Sequence, residues 1–408
     1  MEVTLSVKRF DPDSDQHSSY NQDYVVEMEE SATVLDGLIK VREEVDGTLA
    51  LRCSCRSAIC GSCAMRVNGQ ARLACNTKLV DIVDSGKVVV EPAGNMEVVK
   101  DLVVDFSPFW DKVRDVKPWL DPEGPDPDPD QEYLASNEAM LDLAGVMACI
   151  MCGACVSDCT VLEVDPNFLG PAALAKAYRF VADPRDSDDE PRLSDLNEYG
   201  GMWDCTRCMQ CVEVCPKGVD PMGRIMSLRD KAMATGYTST YGARHSMAFT
   251  NGVRQEGRVD ELSLPVLSKG VFNIVEQIKM IPLGIRAQLA GKRPPILPHK
   301  NPGQENVRRI FNRLDKHDNS PDRLEIPTAI IGLASPVVLT FVAIIAFLIL
   351  QFYWNSESVS GLKPDAYQSG SVEPFTRFSY FHNCFWFYCD PETSGSELVV
   401  NSNAEAER

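Results

Sequence analysis

Cysteine placement constrains this chain more than any other feature of its sequence. All but Cys384 and Cys389 of its 15 cysteines lie in three tight groups, Cys53 to Cys75, Cys149 to Cys159 and Cys205 to Cys215. The first residues, Met-Glu-Val-Thr-Leu-Ser-Val-Lys-Arg, contain no apolar signal region, which predicts a reducing cytoplasm for the grouped thiols. Ligation of metal ions or iron-sulfur clusters is therefore favoured over a disulfide framework.

Size and charge narrow the function classes further. A chain of 408 residues with 44% hydrophobic content is long enough for two or three domains, each with its own core. The formal net charge of -19 at pH 7 repels nucleic acid, so no nucleic-acid partner is expected.

The first cysteine group has the spacing of a plant-type ferredoxin. Cys55, Cys60 and Cys63 form a C-x4-C-x2-C run, and Cys75 follows after eleven residues. This pattern predicts a loop around a 2Fe-2S cluster whose ligands are these four cysteines. A zinc site is the alternative, but zinc is more often bound by paired C-x2-C knuckles. Cys53 exceeds the four ligands required, and we expect it to be a spectator thiol.

The second and third groups repeat one another. Each is a C-x2-C-x2-C-x3-C run, and two such runs predict a two-cluster ferredoxin in which the fourth cysteine of each run crosses to the other cluster. The predicted ligands of the second cluster, a 4Fe-4S cluster, are Cys149, Cys152, Cys155 and Cys215. Those of the third cluster are Cys159, Cys205 and Cys211, with Cys208 available as a fourth. A pair of zinc knuckles is the less favoured alternative.

Three segments of the chain resemble the iron-sulfur subunit of succinate dehydrogenase and fumarate reductase. They are Cys55-Arg-Ser-Ala-Ile-Cys-Gly-Ser-Cys-Ala, Leu169-Gly-Pro-Ala-Ala-Leu-Ala-Lys-Ala-Tyr-Arg-Phe with Asp183-Pro-Arg-Asp, and Cys211-Val-Glu-Val-Cys-Pro-Lys-Gly-Val-Asp. The resemblance covers about residues 1 to 235.

The resemblance implies a function for the chain. In that family a flavoprotein subunit oxidises succinate to fumarate, and electrons pass from FAD through 2Fe-2S, 4Fe-4S and 3Fe-4S clusters to quinone near a membrane anchor. This chain is then the electron-transfer subunit, and the dicarboxylate chemistry with its catalytic residues lies on the flavoprotein. The expected partners are the FAD-containing subunit, one or more membrane anchor subunits, and quinone or another membrane-side acceptor.

The third run departs from the family pattern. Cys208 stands where the family usually has an aliphatic residue, so the third cluster is either 4Fe-4S or 3Fe-4S, and we predict 4Fe-4S. Cys159 is followed by Thr160 where the family has proline and paired tryptophans, and Cys205 is followed by Thr206 where it has histidine. Those missing residues help to form the usual quinone pocket, which leaves the acceptor open.

The segment Ala243-Arg-His-Ser-Met-Ala-Phe favours a second function. It resembles the small iron-sulfur subunits of heterodisulfide reductases and of related atypical succinate or fumarate reductases. The alternative hypothesis is therefore the electron-transfer subunit of a heterodisulfide reductase-like or thiol:fumarate reductase complex. We leave His245 outside the predicted site, because a lone histidine on such a helix is more often a packing or surface residue.

The predicted fold class is α+β, beginning with a β-grasp 2Fe-2S ferredoxin domain over residues 1–105. Alternating apolar residues at 3 to 7 and 24 to 28 predict an opening hairpin, and Lys87-Val-Val-Val-Glu predicts a further strand. A helix capped by Ser31 or Thr33 is expected to cross the sheet.

Helices are predicted for the rest of the chain. Residues 106–235 are expected to form an all-α ferredoxin domain with two clusters, with Pro171 in the first turn of one helix. A helical basic extension is expected over residues 236–325, outside the ordinary subunit of the family.

Residues 326–356 contain no charged side chain and end near the aromatic run Phe352-Tyr-Trp. This pattern predicts one transmembrane helix, with a buried helix of a soluble core as the alternative. The basic residues on its N-terminal side predict a cell-membrane protein with its cluster domains on the cytoplasmic side and its polar tail, residues 357–408, outside. Cys384 and Cys389 of that tail would then face an oxidising compartment.

Overall fold

The N-terminal part of the chain folds around a mixed β-sheet. The computed structural model describes residues 1–14, 18–124, 132–292 and 301–317. The strands of the sheet are β1 (Glu2–Arg9), β2 (Tyr20–Glu27), β3 (Ala64–Val67), β4 (Gln70–Leu73) and β5 (Lys87–Glu91). They lie in the order β2-β1-β5-β3-β4. β1 runs antiparallel to β2 and parallel to β5, and β3 runs antiparallel to both β4 and β5.

The alternation of the first strand explains its place in the core. Val3, Leu5 and Val7 are buried and face α1 (Val34–Lys40), while residues between them face the other side of the sheet. α1 begins with a capping box, because the Thr33 side chain accepts from the amide of Asp36 and the Asp36 carboxylate accepts from the amide of Thr33. The predicted hairpin and the predicted strand at Lys87 are confirmed, and Thr33 is the cap.

The connecting segment leads from the sheet to a helical domain. A short α2 (Leu79–Ile82) lies between β4 and β5, and a small antiparallel pair, β6 (Val98–Lys100) and β7 (Val103–Val104), follows β5. The helices that follow are α3 (Ser107–Asp115), α4 (Asn137–Met147), α5 (Ala154–Ser157), α6 (Pro171–Val181), α7 (Asp189–Leu196), α8 (Gln210–Glu213) and α9 (Pro221–Ala234).

The helical domain has a core of its own. α6 begins with Pro171 in its first turn, as predicted, and is buried along most of its length. It packs against α9, and Phe168, Leu174 and Ile225 are among the large side chains fully buried around the two helices. The mixed sheet and the helical domain therefore each bury an apolar core, which the composition predicts for a chain of this size.

Further helices extend the chain beyond the helical domain. They are α10 (Tyr241–Glu256), α11 (Ser263–Lys269), α12 (Ile274–Leu289) and α13 (Gln304–His317). α10 packs against α11 and α13. Gly242 of α10 lies directly on the Trp203 ring, where an added Cβ would fall 2.3 Å from the Cβ of Trp203. The extension is thus docked on the helical domain through α10.

The membrane prediction falls outside the described residues. Residues 326–356 and the tail at 357–408, with Cys384 and Cys389, lie beyond residue 317, where the description ends. Within the described ranges, no helix combines the length and the apolar content that a bilayer crossing requires.

Candidate iron-sulfur sites

The first cysteine group lies on a loop whose backbone amides point at sulfur. Arg56, Ala58 and Gly61 have positive φ angles of 54°, 54° and 74°, which curl the loop. Successive amides in such a curled segment form a concavity that suits anions. The amides of Ser57, Ile59 and Cys60 lie 3.4, 3.3 and 3.2 Å from the Sγ atom of Cys55. The loop therefore offers several hydrogen bonds to one sulfur, as thiolate ligands of an iron-sulfur cluster accept.

The β3-β4 hairpin closes this group. Cys63 directly precedes β3 and Cys75 follows β4, so the pairing of Ala64 with Leu73 brings the two cysteines together. The amide of Ala58 on the loop lies 3.3 Å from the Sγ atom of Cys75. The eleven residues between Cys63 and Cys75 are thus accounted for by a hairpin, and the structure brings the predicted ligands to one place.

Burial and hydrogen bonding shift the pKa values of two thiols of this group in opposite directions. Desolvation raises the pKa of Cys63 to about 12, because its sulfur lies inside the N-terminal core. The hydroxyl of Ser62 lies 3.2 Å from the Sγ atom of Cys60 and, with backbone amides, lowers the pKa of that exposed thiol to about 6. Cys53 packs on the edge of the N-terminal core, and its spectator role stays a prediction.

The second and third groups adopt the same backbone conformation. Met151 and Gly153 have positive φ angles of 54° and 77°, and the equivalent Arg207 and Met209 have 60° and 69°. A short helix follows each pair, α5 in the second group and α8 in the third. Met209 holds a left-handed conformation where the second group uses glycine, which costs free energy that the surrounding structure must supply. The sequence repeat is therefore a structural repeat.

The fourth cysteine of each run lies with the other group. Cys215 acts electrostatically on Cys152 and Cys155, the thiols of the second run. Cys159 lies near Cys205 and Cys208 of the third run. The crossing follows from the packing of α5 against α8, which places the end of each helix beside the opposite loop. The structure thus brings together both predicted sets of four cysteines.

Burial dominates the acid-base behaviour of these thiols. Desolvation raises the pKa of Cys159 and Cys205, raises that of Cys155 far above its ordinary value, and raises that of Cys211 to about 12. Iron binding requires the thiolate, so the metal must supply the free energy of deprotonation. Among the described residues, no three cysteine, histidine, aspartate or glutamate side chains converge closely enough to hold a single metal ion. The curled loops, their amide donors and the crossed sets of four sulfurs instead support binding of multi-iron clusters.

Comparison with known proteins places the chain in a family. Residues 4–111 match a 2Fe-2S iron-sulfur cluster binding domain, and residues 145–219 match a 4Fe-4S dicluster domain. The chain is 41% identical over 223 residues to the fumarate reductase iron-sulfur subunit of Mycobacterium tuberculosis, covering 55% of this chain and 90% of the relative. The chain belongs to the family of succinate dehydrogenase and fumarate reductase iron-sulfur subunits.

Two further relatives support this assignment of the iron-sulfur subunit. The chain is 36% identical over 228 residues to a mitochondrial succinate dehydrogenase iron-sulfur subunit of rice, Oryza sativa. The match covers 55% of this chain and 80% of the relative. Its fold matches a chain of the Mycobacterium smegmatis Sdh1 complex in the apo form with a TM-score of 0.50 and 26% identity, covering 58% of this chain and 97% of that chain. The first of the two hypotheses, an electron-transfer subunit of a succinate dehydrogenase or fumarate reductase, is confirmed.

The two cluster-binding regions of the iron-sulfur subunit meet at a polar junction. Asp158, beside Cys159, accepts from the amide of Ala71 at 2.7 Å and from Nε of Arg66 at 3.0 Å. An added Cβ on Gly61 would lie 2.7 Å from the Cβ of Cys152, so only glycine fits between the first loop and the second group. The junction therefore fixes the first group against the second.

Sequence reasoning missed the residues of this junction. Asn95 has a positive φ angle of 57°, and its side-chain amide donates to the carbonyls of Val156, Ser157 and Cys159 at 2.8, 3.2 and 2.9 Å. These donations satisfy carbonyls of buried residues at and just beyond the end of α5. The available signal was the acid at 158 inside a cysteine run, but its partners lie far away in the sequence.

His245 lies outside the cysteine groups. Its Nδ1 lies 3.0 Å from the hydroxyl of Ser268 on α11, and burial lowers its pKa. Its neighbours on α10 include Ser246, whose hydroxyl accepts from Arg207 at 3.2 Å. The helix that carries His245 therefore covers one side of the third group without contributing to the set of sulfurs.

We predict that Asp158→Ala lowers the free energy of unfolding of the cluster-loaded protein by about 2 to 3 kcal/mol, because the buried amide of Ala71 and the guanidinium of Arg66 lose their acceptor. Chemical denaturation followed by circular dichroism measures the loss. Asp195→Ala is the matched control, since it removes an exposed ion pair with Lys117 and should cost less than about 1 kcal/mol. Equal losses in the two variants would contradict a structural role for the junction.

Proposed function

We propose that the three cysteine groups form one electron path between a flavoprotein subunit and a membrane-side acceptor. The predicted sets are Cys55, Cys60, Cys63 and Cys75; Cys149, Cys152, Cys155 and Cys215; and Cys159, Cys205, Cys208 and Cys211. Bound there, a 2Fe-2S, a 4Fe-4S and a third iron-sulfur cluster supply one-electron carriers between FAD and quinone. The single observation that supports the proposal is the serial contact of the groups.

The groups follow one another in space as they do in the proposed path. The first loop touches the second group at Gly61 and Cys152. The second and third groups approach through the thiols of Cys155 and Cys211. The protein holds these contacts with the Asp158 junction and with the packing of α5 on α8. A fixed spacing of this kind is what stepwise electron transfer needs from a protein scaffold.

The two ends of the series are exposed. On the first loop Cys60 is exposed, and the neighbouring Ile59 is 65% exposed. In the third group Cys208 is exposed, beside Met209. We assign the first end to the flavoprotein and the second to the acceptor, because an exposed apolar side chain next to a redox group suits a docking surface.

The domain bounds belong to the same proposal. A β-grasp 2Fe-2S domain over residues 1–105 and a two-cluster domain over 106–235 agree with the two cores of the fold. The extension, predicted over 236–325, then begins on the acceptor side, since α10 covers one side of the third group.

Membrane association is supported by the surface of α12. Four of its exposed aliphatic residues lie on one face of the helix, Ile274, Ile278, Ile285 and Leu289. Lys279 and Arg286 border that face. An exposed apolar face with a basic border is typical of a helix lying in the plane of an anionic membrane surface. With the uncharged segment at 326–356, it supports a cell-membrane location with the cluster domains on the cytoplasmic side, the tail outside, and one or more anchor subunits as partners.

Co-purification tests the proposed path. The full chain, isolated from its native membranes, should bring with it an FAD-containing subunit that transfers electrons from succinate to a dye. Ile59→Glu should reduce the recovered flavin at least several-fold while leaving the iron content unchanged, because it places a charge on the exposed loop. Val45→Glu is the control, since Val45 is an exposed apolar residue of the same domain away from the cysteine loop in sequence. Loss of flavin in neither variant, or absence of any FAD partner, would refute the proposal.

The third cluster is proposed to be 4Fe-4S, with Cys208 as its fourth ligand. The Cys208 sulfur lies near Cys159, Cys205 and Cys211, and it accepts from the hydroxyl of Thr160 at 3.4 Å. Cys208→Ala should convert this centre to 3Fe-4S, because one iron loses its protein ligand. Electron paramagnetic resonance of the oxidised protein should then gain a strong near-isotropic signal that native protein lacks. Cys53→Ala is the control and should leave the spectra unchanged. A strong near-isotropic signal in the oxidised native protein would contradict the proposal.

Carbonate extraction tests the membrane proposal. The full chain should resist extraction from membranes, because a span at 326–356 leaves the bilayer only with detergent. A chain of residues 1–325 should be released by carbonate, since α12 binds only at the surface. If the shortened chain stays with membranes as fully as the full chain, the proposed span is not the main anchor.

A further inference from the structure

A buried arginine lies beside the third cysteine group. Arg229 on α9 is 4% exposed. Arginine stays protonated in proteins, and a buried charge is costly unless an opposite charge compensates it. The charge that compensates Arg229 must therefore come from groups that lie near it in the fold.

Carbonyl oxygens satisfy the hydrogen-bond donors of Arg229. Its Nε and Nη2 donate to the carbonyl of Met202 at 2.9 and 2.7 Å, and Nη2 also donates to the carbonyl of Cys205 at 2.7 Å. The guanidinium carbon lies 5.4 Å from the centroid of the Trp203 ring. In the described part of the chain these partners hold the guanidinium in place, yet none of them carries a negative charge.

The third cysteine group is the nearest candidate for the compensating charge. The contact is direct, because Nη2 of Arg229 donates to the carbonyl of Cys205, a predicted ligand. Asp204 is half-buried, and desolvation raises its pKa. A set of thiolates around Cys205 adds to the negative charge that Asp204 and Asp230 place near this cation.

We propose that Arg229 raises the reduction potential of the third cluster by stabilising the negative charge that one added electron brings. Reduction forms and breaks no bond to Arg229; the electron arrives along the series of cysteine groups, and the guanidinium keeps its protons. A nearby buried cation favours the more negative state, so the reduced form gains relative to the oxidised form. This inference rests on the proposed third cluster.

Burial makes Arg229 more effective than an exposed cation of the same cysteine group. Arg207 lies inside the third run, between Cys205 and Cys208, but its side chain is exposed and donates to Ser246. Water and salt screen an exposed charge, whereas a buried one acts at a lower effective dielectric constant. Arg207 therefore offers a matched comparison: the same side chain near the same sulfurs, with solvent as the difference.

Redox titration of the full, cluster-loaded chain tests the inference, with paramagnetic resonance following each cluster separately. In Arg229→Gln we expect the reduced-to-oxidised ratio of the third cluster at a fixed potential to fall roughly tenfold, a shift of about 59 mV for a one-electron couple. The first cluster is the internal control and should not move. Arg229→Lys keeps the charge and should shift the ratio much less, and Arg207→Gln should also shift it less than Arg229→Gln.

Each outcome decides between charge compensation and a packing role. A third-cluster potential that is unchanged in Arg229→Gln, or that moves equally in Arg229→Lys, overturns the inference. If Arg229→Gln cannot hold the cluster, a native-like potential in Arg229→Lys supports it, and loss of the cluster in Arg229→Lys as well overturns it. Absence of a third-cluster signal in native protein refutes the proposed cluster itself and is distinguished by iron and sulfide analysis.

Discussion

Sulfur atoms that must be negatively charged to bind iron lie where burial opposes their charge. Desolvation raises the pKa of Cys63, Cys155 and Cys211, and each of these thiols sits among others. The protein offsets part of this cost with backbone amides aimed at sulfur, as on the Cys55 loop. The rest must come from iron, so metal binding and folding are coupled in this molecule.

The curled loops show how the chain places those amides. Positive φ angles at Arg56 and Ala58 in the first group, and at Met151 and Arg207 in the repeated groups, turn successive N-H groups toward one side. None of these four positions is glycine, so the conformation costs free energy that packing and hydrogen bonds must offset. Five of the eleven non-glycine residues with positive φ angles in the described chain lie in the cysteine loops, where the conformation turns amides toward sulfur.

The series of groups depends on contacts between the two cores. Asp158 joins the helical domain to the β3-β4 hairpin, and Gly61 allows the first loop to touch Cys152. Both contacts lie next to predicted ligands. The same residues that hold the fold together therefore set the spacing of the redox groups, which links the stability of the subunit to its electron transfer.

Patterns that span only a few neighbouring residues made much of this structure predictable. The hairpin of β1 and β2, the Thr33 cap and the start of α6 at Pro171 follow from periodicity, a hydrogen bond to a nearby amide and a fixed φ angle. The spacings within the three cysteine runs are equally local. Asp158, Asn95 and Arg229 were missed because their partners lie distant in sequence, and an isolated polar residue gives no signal of what it will meet.

The sequence by itself determined the chemistry of the chain: which residues carry sulfur, how they are spaced, and which subunit family they resemble. The tertiary structure decided how the cysteine groups pack on one another, that the groups touch in series, and that a cation is buried beside Cys205. The physical reason is the distance along the chain over which each interaction acts. Spacing and capping act over a few residues, whereas burial, desolvation and hydrogen bonds between cores exist only after distant segments have packed.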